Sequence, residues 1–356
     1  MLSIRAALSR ASVPRAFSRP LSTAVKPIAI AFDIDGVLKH GEHVLPEAHR
    51  AIQMLEGKNP WNRRVPYIFV TNGGGQSEDV RAQRLSKDLG VTVDPRQVVL
   101  SHTVMQSLVG SYGDKPVLML GGPDLPPGSS RAVLEGYGFK HVYTAHDLHA
   151  YAPPSWPYAD PKPEQEAALR RVDFSQVNFA AILVFHDSRE WGRDIQLAVD
   201  ILRSRDGIFG TVLTNEELKQ RPPIPVFFSH ADLLWGNEHN VARLGQRAFR
   251  IALEAVFNRV TDNAPFEAIT FGKPENVTYE YAAGLLKNFA GSDPTVWMIG
   301  DNPASDIHGA NDYGWSSALV RTGVFRDVEG PPAHKPTFIA DNVEQAISEI
   351  LKREWS

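Results

Sequence analysis

The apolar positions of this chain fall into short unbroken runs, separated by longer stretches in which apolar residues recur every three to four positions. That alternation predicts parallel strands layered with helices. The run at 28–32 has no polar alternation, which suits a central strand covered on both faces. A helix is predicted over 47–55, with Ala48, Ile52 and Leu55 at helical spacing. A strand over 65–70, a helix over 77–89 and a short strand near 98–100 complete a crossover unit. The same pattern returns at 269–271, ahead of a helix from about Asn276, and continues with strands at 295–300 and 317–320 and an amphipathic helix over 342–352. Between these halves lie strands predicted at 117–120, 180–185 and 226–228 and helices at 130–137, 193–204 and 237–260. Proline-rich stretches interrupt them. The expected organisation is a core in two parts, residues 25–103 and 263–356, with a second α/β domain, residues 104–262, inserted between them.

Composition narrows the chemistry. The 356 residues are 43% hydrophobic and 22% charged, as in globular proteins. No apolar run approaches the ~20 residues needed to span a bilayer, so an integral membrane protein is not expected. The chain has no cysteine, which excludes disulfides, thiolate metal sites and a cysteine nucleophile. Residues 1–24 carry Arg5, Arg10, Arg15 and Arg19 among serines and small apolar residues, with no acidic side chain. This is the composition of a mitochondrial transit peptide, and predicts a mitochondrial, matrix location. Without those four arginines, 33 basic side chains face 41 acidic ones, a formal charge of −8. Nucleic acid is therefore not an expected partner.

Three of the core strands end in chemistry. The first runs into Asp33 and Asp35, the second into Thr71, Asn72 and Gly73, and the strand at 295–300 into Asp301 with Asp306 beyond; Lys273 follows a glycine turn. In open parallel sheets the carboxyl ends of strands are where ligands gather. Two carboxylates one residue apart repel unless a cation relieves them, and Mg²⁺, a hard oxygen-seeking ion, is the natural candidate. Gly73, Gly74 and Gly75 fit neither the dinucleotide nor the P-loop spacing. Thr71, Asn72 and the backbone amides from Gly73 instead suit a small anion. Together these groups suit phosphate-ester hydrolysis through an aspartyl-phosphate. Asp33 is the expected nucleophile and Asp35 the general acid and base. Mg²⁺ is expected on Asp33, the Asp35 carbonyl and Asp301; Lys273 is the expected neutralising cation and Thr71 a phosphoryl ligand.

In this order, Asp-x-Asp-Gly-Val, the strand-end Thr-Asn, Gly-Lys-Pro and Gly-Asp-x-x-x-x-Asp resemble the four motifs of the haloacid dehalogenase (HAD) superfamily of phosphohydrolases. The extension to Gly41 and the insertion resemble class IIA, and Ser101-His102 with Gly300 to Asp306 look most like the mitochondrial cat-eye-syndrome critical-region group. The resemblance implies an α/β, doubly wound, Rossmann-like parallel sheet with an inserted α/β type 2 cap domain. It implies the same roles for Asp33, Asp35, Thr71, Lys273 and Asp301, and makes Asp306 a metal ligand or a group that orients one. It also implies a homodimer paired through caps. Thr-Asn-Gly-Gly-Gly departs from the Thr-Asn-Asn common in the class.

In the cap, His186, Asp187, His230 and Asp232 follow predicted strands and are candidates for reading the leaving group. Trp191, Trp235 and Trp297 are expected to pack. No histidine spacing resembles a zinc site. The expected function is Mg²⁺-dependent hydrolysis of a small phosphorylated metabolite. The alternatives are a lipid-precursor phosphate in mitochondrial glycerophospholipid metabolism, and a catalytically silent binding or scaffold protein.

Overall fold

The computed structural model describes residues 26–123, 129–158, 166–235, 239, 241 and 243–355. The expected transit peptide lies outside the described residues.

The first sheet has six parallel strands. In chain order they are β1 (Ile28–Phe32), β2 (Tyr67–Val70) and β3 (Val98–Val99), then, after the inserted domain, β9 (Thr295–Gly300), β10 (Ser316–Val320) and β11 (Phe338–Ala340). Their spatial order is β11-β10-β9-β1-β2-β3. The unbroken apolar run of β1 is explained by its two faces. Ile28, Ile30 and Phe32 join one cluster beneath the helices Pro46–Leu55, Glu78–Leu89 and Val343–Trp355. Ala29 and Ala31 join another, where Tyr279, Ala282 and Leu286 of the helix Asn276–Ala290 pack. Small residues on that face let this helix approach closely. The strand order turns at β1, with β2 on one side and β9 on the other, and that reversal opens a crevice at the strands' carboxyl ends.

The inserted domain is a second parallel sheet of β4 (Pro116–Leu120), β5 (His141–Thr144), β6 (Ala181–Val184), β7 (Val226–Phe228) and β8 (Ala268–Thr270), in the order β8-β7-β6-β4-β5. Ile182, Val184, Val226 and Phe228 face the helices Trp191–Arg203 and Gln246–Thr261. Ala181, Leu183 and Phe227 face the other side with Val133 and Leu134 of the helix Ser130–Tyr137.

Several expectations shift. The run at 269–271 forms no core strand; β8 pairs with β7 (Ala268 with Val226), so the cap extends through Thr270 rather than stopping at 262. The helix expected over 237–260 begins at Gln246 and is preceded by a two-stranded hairpin, Leu234–Trp235 against Arg243–Leu244. Trp297 is buried and Trp191 packs on Phe249, but Trp235 sits on that hairpin, 43% exposed, and is no packing residue.

Candidate active site

β1 and β9 are neighbours in register, Phe32 opposite Ile299. The Asp33 amide donates to the Ile299 carbonyl at 2.9 Å, carrying the pairing one residue past the strand. Asp33 and Asp301 thereby emerge side by side from adjacent strand ends. Beyond Asp301, Asn302 caps a π-helical turn, Pro303–Ile307, through its side chain to the Ala304 amide. The turn brings Asp306 back: one of its oxygens accepts from the Asn302 amide at 3.0 Å, and the Tyr279 hydroxyl lies 3.1 Å from the carbonyls of Ser305 and Asp306.

Oxygens of Asp33, Asp301 and Asp306 lie within 4.8 Å of one another, and all three residues are buried. Lys273 enters among them at 1% exposure, its Nζ 2.6 Å from Asp306 and 2.9 Å from Asp33 Oδ1. Burial opposes the lysine's charge, but Asp306 and Asp33 outweigh it and hold the ammonium well above the usual lysine range. Burial raises Asp301 well above the carboxylate range, with Asp33 and Asp306 adding to it, and raises Asp306 to about 7 against the pull of Lys273. With all three carboxylates ionised against one ammonium the formal charge would be −2, and the raised Asp301 and Asp306 reflect the cost of holding that charge without a cation. Asp33 Oδ1 also makes no hydrogen bond of good geometry. A purely oxygen donor set with a surplus of two negative charges fits a hard divalent cation such as Mg²⁺.

Asp35 stands apart. Its side chain is 57% exposed, with Oδ2 3.6 Å from Arg81. Its carboxylate is outside the cluster of three, which leaves its backbone carbonyl as the group it could offer a metal. Partial loss of hydration raises its carboxyl pKa, opposed by Arg81 and reinforced by Asp33, as suits a proton donor.

The second-strand loop differs from expectation in two places. Thr71 is buried at the strand end as predicted, but the Gly73 amide is turned back onto Thr71 Oγ1 at 3.0 Å. Asn72 does not face outward to an anion. It grips the backbone of Lys273, donating to its carbonyl at 2.9 Å and accepting from its amide at 2.8 Å. Asn72 is therefore a positioning residue for the lysine.

The triple glycine has a spatial reason. A methyl group on Gly75, whose φ is +81°, would fall 2.4 Å from the ring of His186, and one on Gly74 would fall 2.8 Å from His102 and Ser101. The loop thus lets the cap rest directly on the core. His186, Asp187, His230 and Asp232 are brought together at the ends of β6 and β7, with His186 over Gly75 and His230 beside Gly272. Burial lowers the His186 pKa to about 4. Burial pulls His230 down as well, but Asp187 and Asp232 prevail and raise it to about 9. Two contributors were not predicted: Arg81, whose helical position gives no signal, and Gly323, whose place after β10 was its only sign.

Comparison with known proteins identifies the family. Residues 30–140 match the profile of haloacid dehalogenase-like hydrolases, and residues 270–346 a HAD-hydrolase-like profile. A mitochondrial hydrolase of Saccharomyces cerevisiae is 37% identical over 94% of this chain and 98% of its own length. The chain belongs to the haloacid dehalogenase-like hydrolases. This HAD hydrolase is also 37% identical to a Schizosaccharomyces pombe fusion of cardiolipin synthase (CMP-forming) and mitochondrial hydrolase, covering 95% of this chain and 56% of the fusion. Among solved structures, the glycerol phosphate phosphatase of Mycobacterium tuberculosis in complex with magnesium superposes with a TM-score of 0.57 at 20% identity, covering 90% of the HAD hydrolase chain and 76% of that one. The likeness places both on one fold, a HAD core with an α/β cap.

Proposed function

We propose that this HAD hydrolase is a mitochondrial phosphatase that cleaves a small phosphate monoester by way of an aspartyl-phosphate. The observation that carries the reading is the buried cluster of Asp33, Asp301 and Asp306 around Lys273. An Asp33 oxygen forms a bond to phosphorus as the ester P–O bond breaks, and Asp35 delivers its proton to the departing alkoxide. Asp35 then takes a proton from water, whose oxygen attacks the same phosphorus; inorganic phosphate leaves and the Asp33 carboxylate is restored. Lys273 keeps Asp33 ionised and balances the charge added by the phosphoryl group, while Thr71 holds one of its oxygens. Mg²⁺, held by Asp33, Asp301 and the Asp35 carbonyl with Asp306 behind them, would supply positive charge for the phosphoryl oxygens. A cap seated on the core loops favours small substrates, since it covers the crevice and excludes water. The names of the two yeast relatives support the mitochondrial location.

A second reading keeps the chemistry and changes the substrate. The fusion to cardiolipin synthase in one relative favours a lipid-precursor phosphate. Phosphate release from a panel of small and glycerolipid-derived esters, with and without Mg²⁺, tests both. Mg²⁺-dependent turnover is expected, and Asp33→Asn is expected to lower it by at least about 10³-fold, as loss of a nucleophile does. Turnover retained in Asp33→Asn would remove the aspartyl-phosphate. No turnover on any ester, from folded protein that binds Mg²⁺, would favour the silent binding protein.

A further inference from the structure

We propose that the cap carries a second metal site, in which His186, Asp187 and His230 bind Zn²⁺ or a similar first-row divalent ion, with Asp232 orienting His230. The site shares no residue with the carboxylate cluster and stands apart from the phosphatase reading.

Ligand atoms of the three residues lie within 4.8 Å of one another. Asp187 is the centre: Oδ1 is 3.6 Å from His230 Nε2 and Oδ2 is 3.7 Å from His186 Nδ1. Those separations are too long for hydrogen bonds. The first is close to the ~3.4 Å expected between two donors that each sit about 2.1 Å from one tetrahedral ion; the second places the other oxygen of the same carboxylate toward His186.

The stronger observation is what these atoms lack. His186 Nδ1, Asp187 Oδ1 and His230 Nε2 are all buried and none has a hydrogen-bond partner. His230 is 4% exposed, so water does not serve its ring nitrogen freely. Buried polar atoms without partners are costly, and three on residues whose ligand atoms lie this close together suit a shared ligand. A cation meets all three at once.

The surroundings hold the geometry. The His230 amide donates to Gln246 Oε1 at 3.2 Å, fixing the residue at the end of β7, and the His186 ring is pinned against Gly75. On the far side of His230, the Asp232 amide donates to Nδ1 at 3.4 Å and Asp232 Oδ2 lies 3.6 Å from the same nitrogen; binding a metal at Nε2 requires Nδ1 to carry the ring proton and turn it to that carboxylate. A carboxylate behind a ligating imidazole is the usual outer partner of a metal-bound histidine. Two imidazoles and one carboxylate suit zinc and its neighbours rather than Mg²⁺, which prefers oxygen alone. Histidine spacing in the sequence gave no sign of this, because the ligands come from the ends of two different strands.

The test is Co²⁺ and Zn²⁺ binding to the intact protein in saturating Mg²⁺, read by the visible spectrum of Co²⁺ and by metal content after dialysis. The wild-type chain and Asp301→Asn are expected to hold one such ion per chain, and His186→Gln and His230→Gln to lose at least tenfold in affinity. Uptake unchanged in the folded histidine variants, loss in Asp301→Asn instead, or no uptake by the wild type would each overturn the site. Should the histidine variants not fold, anomalous scattering at the zinc edge from wild-type crystals decides. An ion about 2.1 Å from His186 Nδ1 and His230 Nε2 is expected; an ion elsewhere, or none, refutes the proposal.

Discussion

Gly323 lies beside the buried acids because nothing larger fits there. A methyl group at that position would fall 1.9 Å from Asp301 Oδ2, the oxygen that accepts from the Val324 amide at 2.6 Å. The backbone thus aims one oxygen of Asp301 into a glycine-lined notch and leaves the other for the cluster. Gly323→Ala is expected to swing Asp301 away and weaken Mg²⁺ binding roughly 10–100-fold while the fold survives, as loss of a supporting contact at a metal ligand does. Calorimetric titration with Mg²⁺ measures this. Unchanged affinity would take Asp301 out of the metal site. By the same crowding, removing Lys273 would leave three buried carboxylates without a cation.

Asn72 joins two loops at the scale of elements. Its two hydrogen bonds to the Lys273 backbone bridge 201 residues of sequence and fasten the end of β2 to the segment that follows β8. Asn72→Ala leaves a buried N–H and a buried carbonyl unpaired, at a cost of roughly 2–4 kcal/mol in urea unfolding. It is also expected to lower kcat more than it raises KM, and Asn72→Asp, which keeps the acceptor, should recover part of both. A variant with ordinary kcat would make Asn72 merely structural. Such bridges are also where sequence reading stops. Asp33, Asp301, Thr71 and Lys273 were legible because each closes an apolar run or a glycine turn, and strand ends are where parallel sheets do chemistry. The partner of Asn72 was not, since an amide side chain bonds any nearby backbone equally well. For the same reason β8 was misplaced: an apolar run states that a strand is buried, but not in which sheet.

At the scale of the whole molecule, a polar network joins cap to core. His102 is fully buried, stacked on Phe185 of the cap with ring centroids 4.1 Å apart. Its Nε2 donates to the Gln76 carbonyl at 3.1 Å, and the hydroxyl of Tyr137 in the cap sits between Nδ1 at 2.8 Å and a Glu78 carboxylate oxygen of the core at 2.5 Å, with one proton to share between the two acceptors. Burial drives the His102 pKa down to about 3, with His186 nearby adding to it. In the unfolded chain it returns to about 6.5. Between those values the unfolded state binds the extra proton, so the stabilisation from neutral His102 is full above pH 6.5 and is lost as pH falls toward 3. Wild-type melting temperature is expected to drop between pH 7 and pH 5 by more than that of His102→Asn. Equal drops would assign the acid sensitivity to other groups.

The last strand of the cap also has a mechanical meaning. β8 hydrogen-bonds to β7 through Thr270, and after Phe271 and Gly272 the chain has already reached Lys273. The cap is therefore not tethered to the core by slack linkers at this end. Under the proposed mechanism, a rotation that lifts the cap would pull on a lever whose short arm is Lys273, so that admitting substrate and arming Asp33 would become a single movement.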